Sequence, residues 1–252
     1  MSEIFILSLI QGITEFLPIS SSSHLIIVSQ YIDFTNQSLT IDLSLHIGSF
    51  IAIITYFHKD IFNFYKNREL FIKIIISSIP VMFVGFFLVK TNFIDKLRSL
   101  EIIGWTTIIF GILLYISDKF KLEKNVEKNF NYKSAILIGL FQVLSLIPGV
   151  SRSGVTITAG RFLNFKRYDA SKISFLLSIP TLGGASFFGL SNILTSGNLN
   201  ISILSIVSIL LSFFFSLITI NFFLKYIKKF NMNIFVIYRL ILGLILLFLA
   251  YS

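Results

Sequence analysis

The sequence predicts an all-α polytopic membrane protein. Residues 1–252 form one integral membrane domain of two inverted repeats, about 1–120 and 134–252. Each repeat is read as a re-entrant helical hairpin plus three transmembrane helices. Three observations carry the prediction. Only 13% of residues are charged and the mean hydropathy is +0.86, too apolar for the surface of a soluble domain. Six windows run almost free of charge: 41–57, 74–89, 102–117, 173–195, 201–224 and 234–251. A bilayer core of ~30 Å takes about 20 such residues per helix. The third observation is an internal duplication.

The first hairpin is read over residues 6–34, ILSLIQGITEFLPISSSSHLIIVSQYIDF. It resembles residues 137–165, LIGLFQVLSLIPGVSRSGVTITAGRFLNF. Gln11 meets Gln142. After a one-residue gap Pro18 meets Pro148, and Ser21 meets Ser151. Pro18 and Pro148-Gly149 interrupt any helix through these stretches. The halves are too short to make two crossings, so each hairpin is expected to enter and leave on one side. Such backbone is tolerated only when buried in protein or lining a water-filled cavity. Three of the apolar windows follow each hairpin and are expected as full spans.

The charges orient this arrangement. Sixteen of the 21 Lys and Arg residues fall in loops 58–73, 118–133, 161–172 and 225–233. The opposite side holds Lys90, Lys96 and Arg98. By the positive-inside rule the basic side is cytoplasmic and both termini lie outside. An odd number of spans per half inverts the second repeat. Inverted repeats with broken helices place their site near the midplane, where the repeats meet. The net charge of +9 is therefore read as basic loops facing the cytoplasm and anionic lipid, not nucleic acid. The strand alternation of an outer-membrane barrel is absent. No cysteine is present, which excludes disulfides and thiolate chemistry. The stretch MSEIFILSLIQG lacks a basic segment and a cleavage site, so no cleaved signal peptide is expected.

Ionisable residues inside apolar segments are functional hypotheses, because a charge at a helix centre costs roughly 2.5–3.5 kcal/mol. Here they are Glu15, His24, Asp42, His46 and Arg152. Arg239 is expected to snorkel to a nearby span end. Asp42 and His46, four residues apart, are expected to share a structural hydrogen bond. Hydroxyls surround both breaks: Ser20, Ser21, Ser22, Ser23, Ser151, Ser153 and Thr156. Serines after a break can cap a new helix, whose N-terminal N–H groups attract anions. With the planar fork of Arg152 they describe a phosphate cradle. His24 lies three residues after Ser21 and can move protons near neutral pH. Glu15 can orient that imidazole or ligate a divalent cation.

At these residues the chain resembles the undecaprenyl-diphosphatases of the bacitracin-resistance type. One motif reads Gln11-Gly-Ile-Thr-Glu15-Phe-Leu-Pro18-Ile-Ser20-Ser21-Ser22-Ser23-His24, and the other Pro148-Gly-Val-Ser151-Arg152-Ser153-Gly-Val-Thr156. FLLSIPTLGGA at 175–185 adds to the likeness. Gln11 stands where many members have glutamate, which removes one negative charge from any cation site. Ser23 replaces the usual glycine before the histidine.

The resemblance implies hydrolysis of undecaprenyl diphosphate, a C55 isoprenyl lipid, on the outer face of the bacterial cytoplasmic membrane. It implies recycling of the carrier for peptidoglycan, and tolerance to bacitracin, which captures the substrate. It implies Mg²⁺ or Ca²⁺ held by Glu15 with Gln11. Arg152, Ser151, Ser153 and Thr156, with Ser20 and Ser22, would hold the diphosphate. Ser21 would attack with His24 as base. Alternatively His24 attacks, or activates water. A lipid-phosphate transporter using the same midplane site is the rival reading. The arrangement also allows a homodimer.

Overall fold

The computed structural model describes residues 1–31, 39–63, 67–91, 97–195 and 202–252. Helices follow in the order α1 (Ser2–Thr14), α2 (Ser21–Tyr31), α3 (Leu39–Tyr56), α4 (His58–Phe62), α5 (Arg68–Lys90) and α6 (Leu100–Asp118). Then come α7 (Val126–Asn129), α8 (Tyr132–Val143), a 3-10 turn at Leu144–Leu146, α9 (Arg152–Phe162), α10 (Arg167–Thr195), α11 (Ile203–Lys229) and α12 (Asn233–Tyr251). Among the described residues no strand forms, and Lys124 and Phe165 make an isolated bridge.

Among the described residues five helices are long and apolar enough to cross a membrane: α5, α6, α10, α11 and α12. The remaining expected span, 41–57, falls mostly in the 18-residue α3, which rises about 27 Å. Large apolar side chains face outward along α5 (Ile75, Ile79, Met82, Phe83) and α11 (Leu210, Phe214, Ile218, Phe222). The inward stripe of α11 is small and polar instead, with Ser205, Ser208, Ser212 and Ser216 buried. Ser49 of α3 lies 3.1 Å from the Ser212 hydroxyl and 3.0 Å from that of Ser216. Lipid offers no hydrophobic drive between helices, so close packing and shared hydroxyls hold them.

The helix pairs form a pattern. α1 packs on α11 and α8 on α5, while α3 packs on α11 and α10 on α5. α6 packs on α12, and α3 on α10. Exchanging the two halves maps this set of contacts onto itself.

The basic connections gather at one end. Lys172 pairs with Asp60 at 2.9 Å. Buried Asp118 takes the Arg167 guanidinium at 2.7 Å, Arg161 at 3.4 Å and the Met232 amide at 3.2 Å. The segments after α3, α6, α9 and α11 therefore meet. α8 leaves from this end and α9 returns to it.

Each hairpin breaks at a left-handed serine, Ser20 (φ 73°) and Ser151 (φ 68°). A new helix begins at the very next residue, Ser21 or Arg152. This geometry equates Ser20 with Ser151 and needs no gap, one residue away from the register set by the prolines. A left-handed residue costs a non-glycine side chain of order 1–3 kcal/mol, so its position marks equivalence more firmly than residue identity does. The second break also needs Gly149, at φ 92°, because a Cβ there would collide with the Thr106 hydroxyl.

Candidate active site

The two breaks meet inside the protein. Glu15 ends α1 and is buried. Its Oε1 accepts from the Arg152 guanidinium at 2.6 Å, joining the two halves. Its Oε2 accepts from the Ser21 hydroxyl at 2.8 Å and the Gln11 amide at 3.1 Å. The same amide nitrogen lies 3.0 Å from His46 Nδ1. Two acceptors thus face the Gln11 Nε2, which fixes the amide so that its oxygen points elsewhere. That oxygen, Gln11 Oε1, is buried with no partner among the described residues.

Ser21 and Arg152 hold the same place in their halves, as first residues of α2 and α9. Both therefore sit where unpaired N–H groups and the helix dipole draw negative charge. Arg152 is further held by the Ser174 carbonyl at 3.4 Å. Thr156, fully buried, donates to the Ser174 hydroxyl at 2.7 Å and supports this contact from behind. A buried ion pair is poor evidence of stabilisation, but losing one partner leaves an uncompensated charge. The Glu15–Arg152 pair fixes the two breaks against each other.

His24 is placed differently from the sequence expectation. Its Nδ1 lies 2.6 Å from the Ser20 carbonyl, and its Nε2 2.5 Å from the Tyr238 hydroxyl. It does not hydrogen-bond to Ser21, whose hydroxyl donates to Glu15. The remaining hydroxyls build the breaks. Ser20 pairs with Ser23 at 2.8 Å. Ser151 caps the Gly154 amide at 3.1 Å, and Ser153 donates to the Leu17 carbonyl at 2.8 Å. Ser22 lies in α2, but its side chain is outside what the structure describes.

Arg239 does not snorkel. It is fully buried on α12 and donates to carbonyls of both breaks. These are Pro18 at 3.1 Å, Gly149 at 2.9 Å and Val150 at 3.1 Å, with Thr107 of α6 at 3.1 Å. Helix breaks free carbonyls that must be satisfied without water, and one guanidinium has enough donors to answer both. Gly154 makes the room, because a Cβ there would lie 2.9 Å from the Arg239 Nη1. The signal for Arg239 was its charge within an apolar window, and its distance from both motifs hid its role. His46 turns Nδ1 to Gln11 across the site.

Among the described residues no group of three His, Cys, Asp or Glu side chains is placed to hold a metal. The Gln11 amide turns its nitrogen, not its oxygen, to Glu15, so one carboxylate faces the site and the neutral oxygen joins it only when that amide turns over. That set fits a hard divalent cation which takes its other ligands from phosphate and water.

The chain is similar to known proteins along nearly its whole length. The family model described as "Bacitracin resistance protein BacA" matches residues 4–245. A Pelagibacter ubique (strain HTCC1062) protein named undecaprenyl-diphosphatase is 50% identical over 99% of this chain and 98% of its own. A Jannaschia sp. (strain CCS1) protein of the same name is 37% identical over the same shares. With Glu15, Ser21 and Arg152 gathered at paired helix breaks and the match spanning nearly every residue, the chain belongs to the bacitracin resistance protein BacA family.

Proposed function

We propose that the protein hydrolyses undecaprenyl diphosphate to undecaprenyl phosphate and inorganic phosphate. This recycles the lipid carrier for peptidoglycan synthesis and gives tolerance to bacitracin, which captures the diphosphate. The relatives' names support the substrate. The observation that carries the chemistry is the Ser21 hydroxyl, 2.8 Å from a carboxylate that is itself paired with Arg152.

The diphosphate settles at the N-termini of α2 and α9, and its oxygens draw Arg152 from Glu15. Ser21 Oγ attacks the terminal phosphorus while Glu15 Oε2 takes its proton. The bond from that phosphorus to the bridging oxygen breaks, and undecaprenyl phosphate leaves with the electron pair. Water then attacks the phosphoserine and yields a proton to His24. Ser21 regains its proton from Glu15 as phosphate departs, and His24 passes its own to the phosphate. Glu15 replaces His24 as base for the serine because it is the group that holds the hydroxyl. Arg152 and the helix N-termini stabilise the charge that develops on the equatorial oxygens. Glu15 and Gln11 would hold Mg²⁺ or Ca²⁺, which when bound screens the diphosphate charge.

The reading places the site toward the outer face of the cytoplasmic membrane, with the Asp118 end inside. The basic connections gathered there support this orientation, and the exchange symmetry of the helix pairs supports inverted repeats. Transport of a lipid phosphate needs no hydroxyl on a carboxylate, so that contact favours hydrolysis.

The test is phosphate release from C55 diphosphate by detergent-purified protein, with and without divalent cation. Wild type should turn over, and Arg152→Ala should lose roughly 100-fold or more, the loss typical of a transition-state donor. Quenched reactions should contain phosphoserine at Ser21. Equal release by both proteins would sink the reading.

A further inference from the structure

We propose that Tyr238 is a positioning residue of the hydrolysis, acting through His24. This rests on the role given to His24 above. His24 Nδ1 faces the Ser20 carbonyl at 2.6 Å, and a carbonyl only accepts. Nδ1 therefore carries the proton, and in the neutral ring Nε2 is an acceptor. The group at Nε2 is the Tyr238 hydroxyl at 2.5 Å, the donor to a neutral ring. The two rings lie within 9° of parallel with centroids 5.7 Å apart. One imidazole is thus fixed in tautomer by a strained break and in orientation by a phenol from the other half of the chain.

The placement has a reason. Tyr238 precedes Arg239, the residue that holds both breaks through their carbonyls. The helix turn that locks the backbone of the site also delivers the hydroxyl to its imidazole. Tyr238 is itself 41% exposed, so the phenol lies at the edge of the protein. A water or phosphate oxygen meets Nε2 only by displacing the phenol. Tyr238 thus covers Nε2 and keeps His24 correctly turned until the second step of the reaction needs it.

The experiment uses the purified full-length chain and compares Tyr238→Phe, His24→Asn and the double variant. Phenylalanine keeps the ring and loses only the hydroxyl. Tyr238→Phe is expected to lower kcat about fivefold, the order of one hydrogen bond, and leave KM within about twofold. Added to His24→Asn it should cost nothing further, because its effect passes through the imidazole. A second readout needs no turnover. Carbethoxylation of His24 by diethyl pyrocarbonate, followed by mass spectrometry, should quicken several-fold in Tyr238→Phe as Nε2 is uncovered. Wild-type turnover in Tyr238→Phe with unchanged labelling would overturn the proposal, as would losses that multiply in the double variant. If wild type released no phosphate, the hydrolysis reading would fall, and the proposal for turnover with it. Labelling would then still decide the Tyr238–His24 contact.

Discussion

At the residue scale, the site depends on charges whose burial is tolerated only because they answer one another. Glu15 holds Arg152, Ser21 and Gln11 at once. Ser21→Ala removes the attacking oxygen and should lower phosphate release by at least about 100-fold, with loss of the trapped phosphoserine. Near-normal turnover there would leave water as the nucleophile. Arg152→Lys keeps the charge and loses the planar fork, so it should not restore wild-type release. These residues were legible in the sequence because an ionisable group in an apolar segment is expensive and so demands an explanation. Tyr238 and the Gln11–His46 contact were not legible. A tyrosine in a span and a histidine four residues from an aspartate both have ordinary packing roles.

At the element scale, the device is a helix that restarts immediately after a left-handed serine. Ser20 and Ser151 do this in the two halves, and so place Ser21 and Arg152 equivalently. A β-branched residue tolerates positive φ poorly, so Ser20→Val should destabilise the protein by about 2 kcal/mol. Ser20→Gly should keep the fold. Thermal melting in detergent would rank the two, and a Val variant as stable as wild type would refute the backbone assignment. The serine breaks were visible in the sequence, but their register was not. Prolines attract the eye, while the residue that bears the positive φ carries no compositional mark among four consecutive serines.

At the scale of the whole molecule, the basic end is held by Asp118, which joins Arg161, Arg167 and Met232. Asp118→Ala should lower stability by about 3–5 kcal/mol, because buried arginine charge is left unanswered. Turnover per folded molecule should stay near wild type, since the cluster lies at the far end of α9 from Arg152. A melting curve beside a phosphate assay separates these outcomes. The natural absence of cysteine permits a topology test without background. In intact cells a membrane-impermeant thiol reagent should label Arg98→Cys, while Lys121→Cys should react only after the membrane is opened. The reverse pattern would place the site on the cytoplasmic face.

The sequence by itself determined the membrane class, the all-helical fold, and the identity of the charged groups at the breaks. Each is a local property: apolar length, a proline or serine interruption, or a charge out of place. The tertiary structure decided which group faces which. Ser21 belongs to Glu15 and His24 to Tyr238, and Arg239 holds both breaks rather than reaching for a surface. Those pairings join residues as far apart as Pro18 and Arg239. Hydrogen bonds extend over only about 3 Å, so partners are chosen by how the two halves dock, which no single stretch of chain specifies.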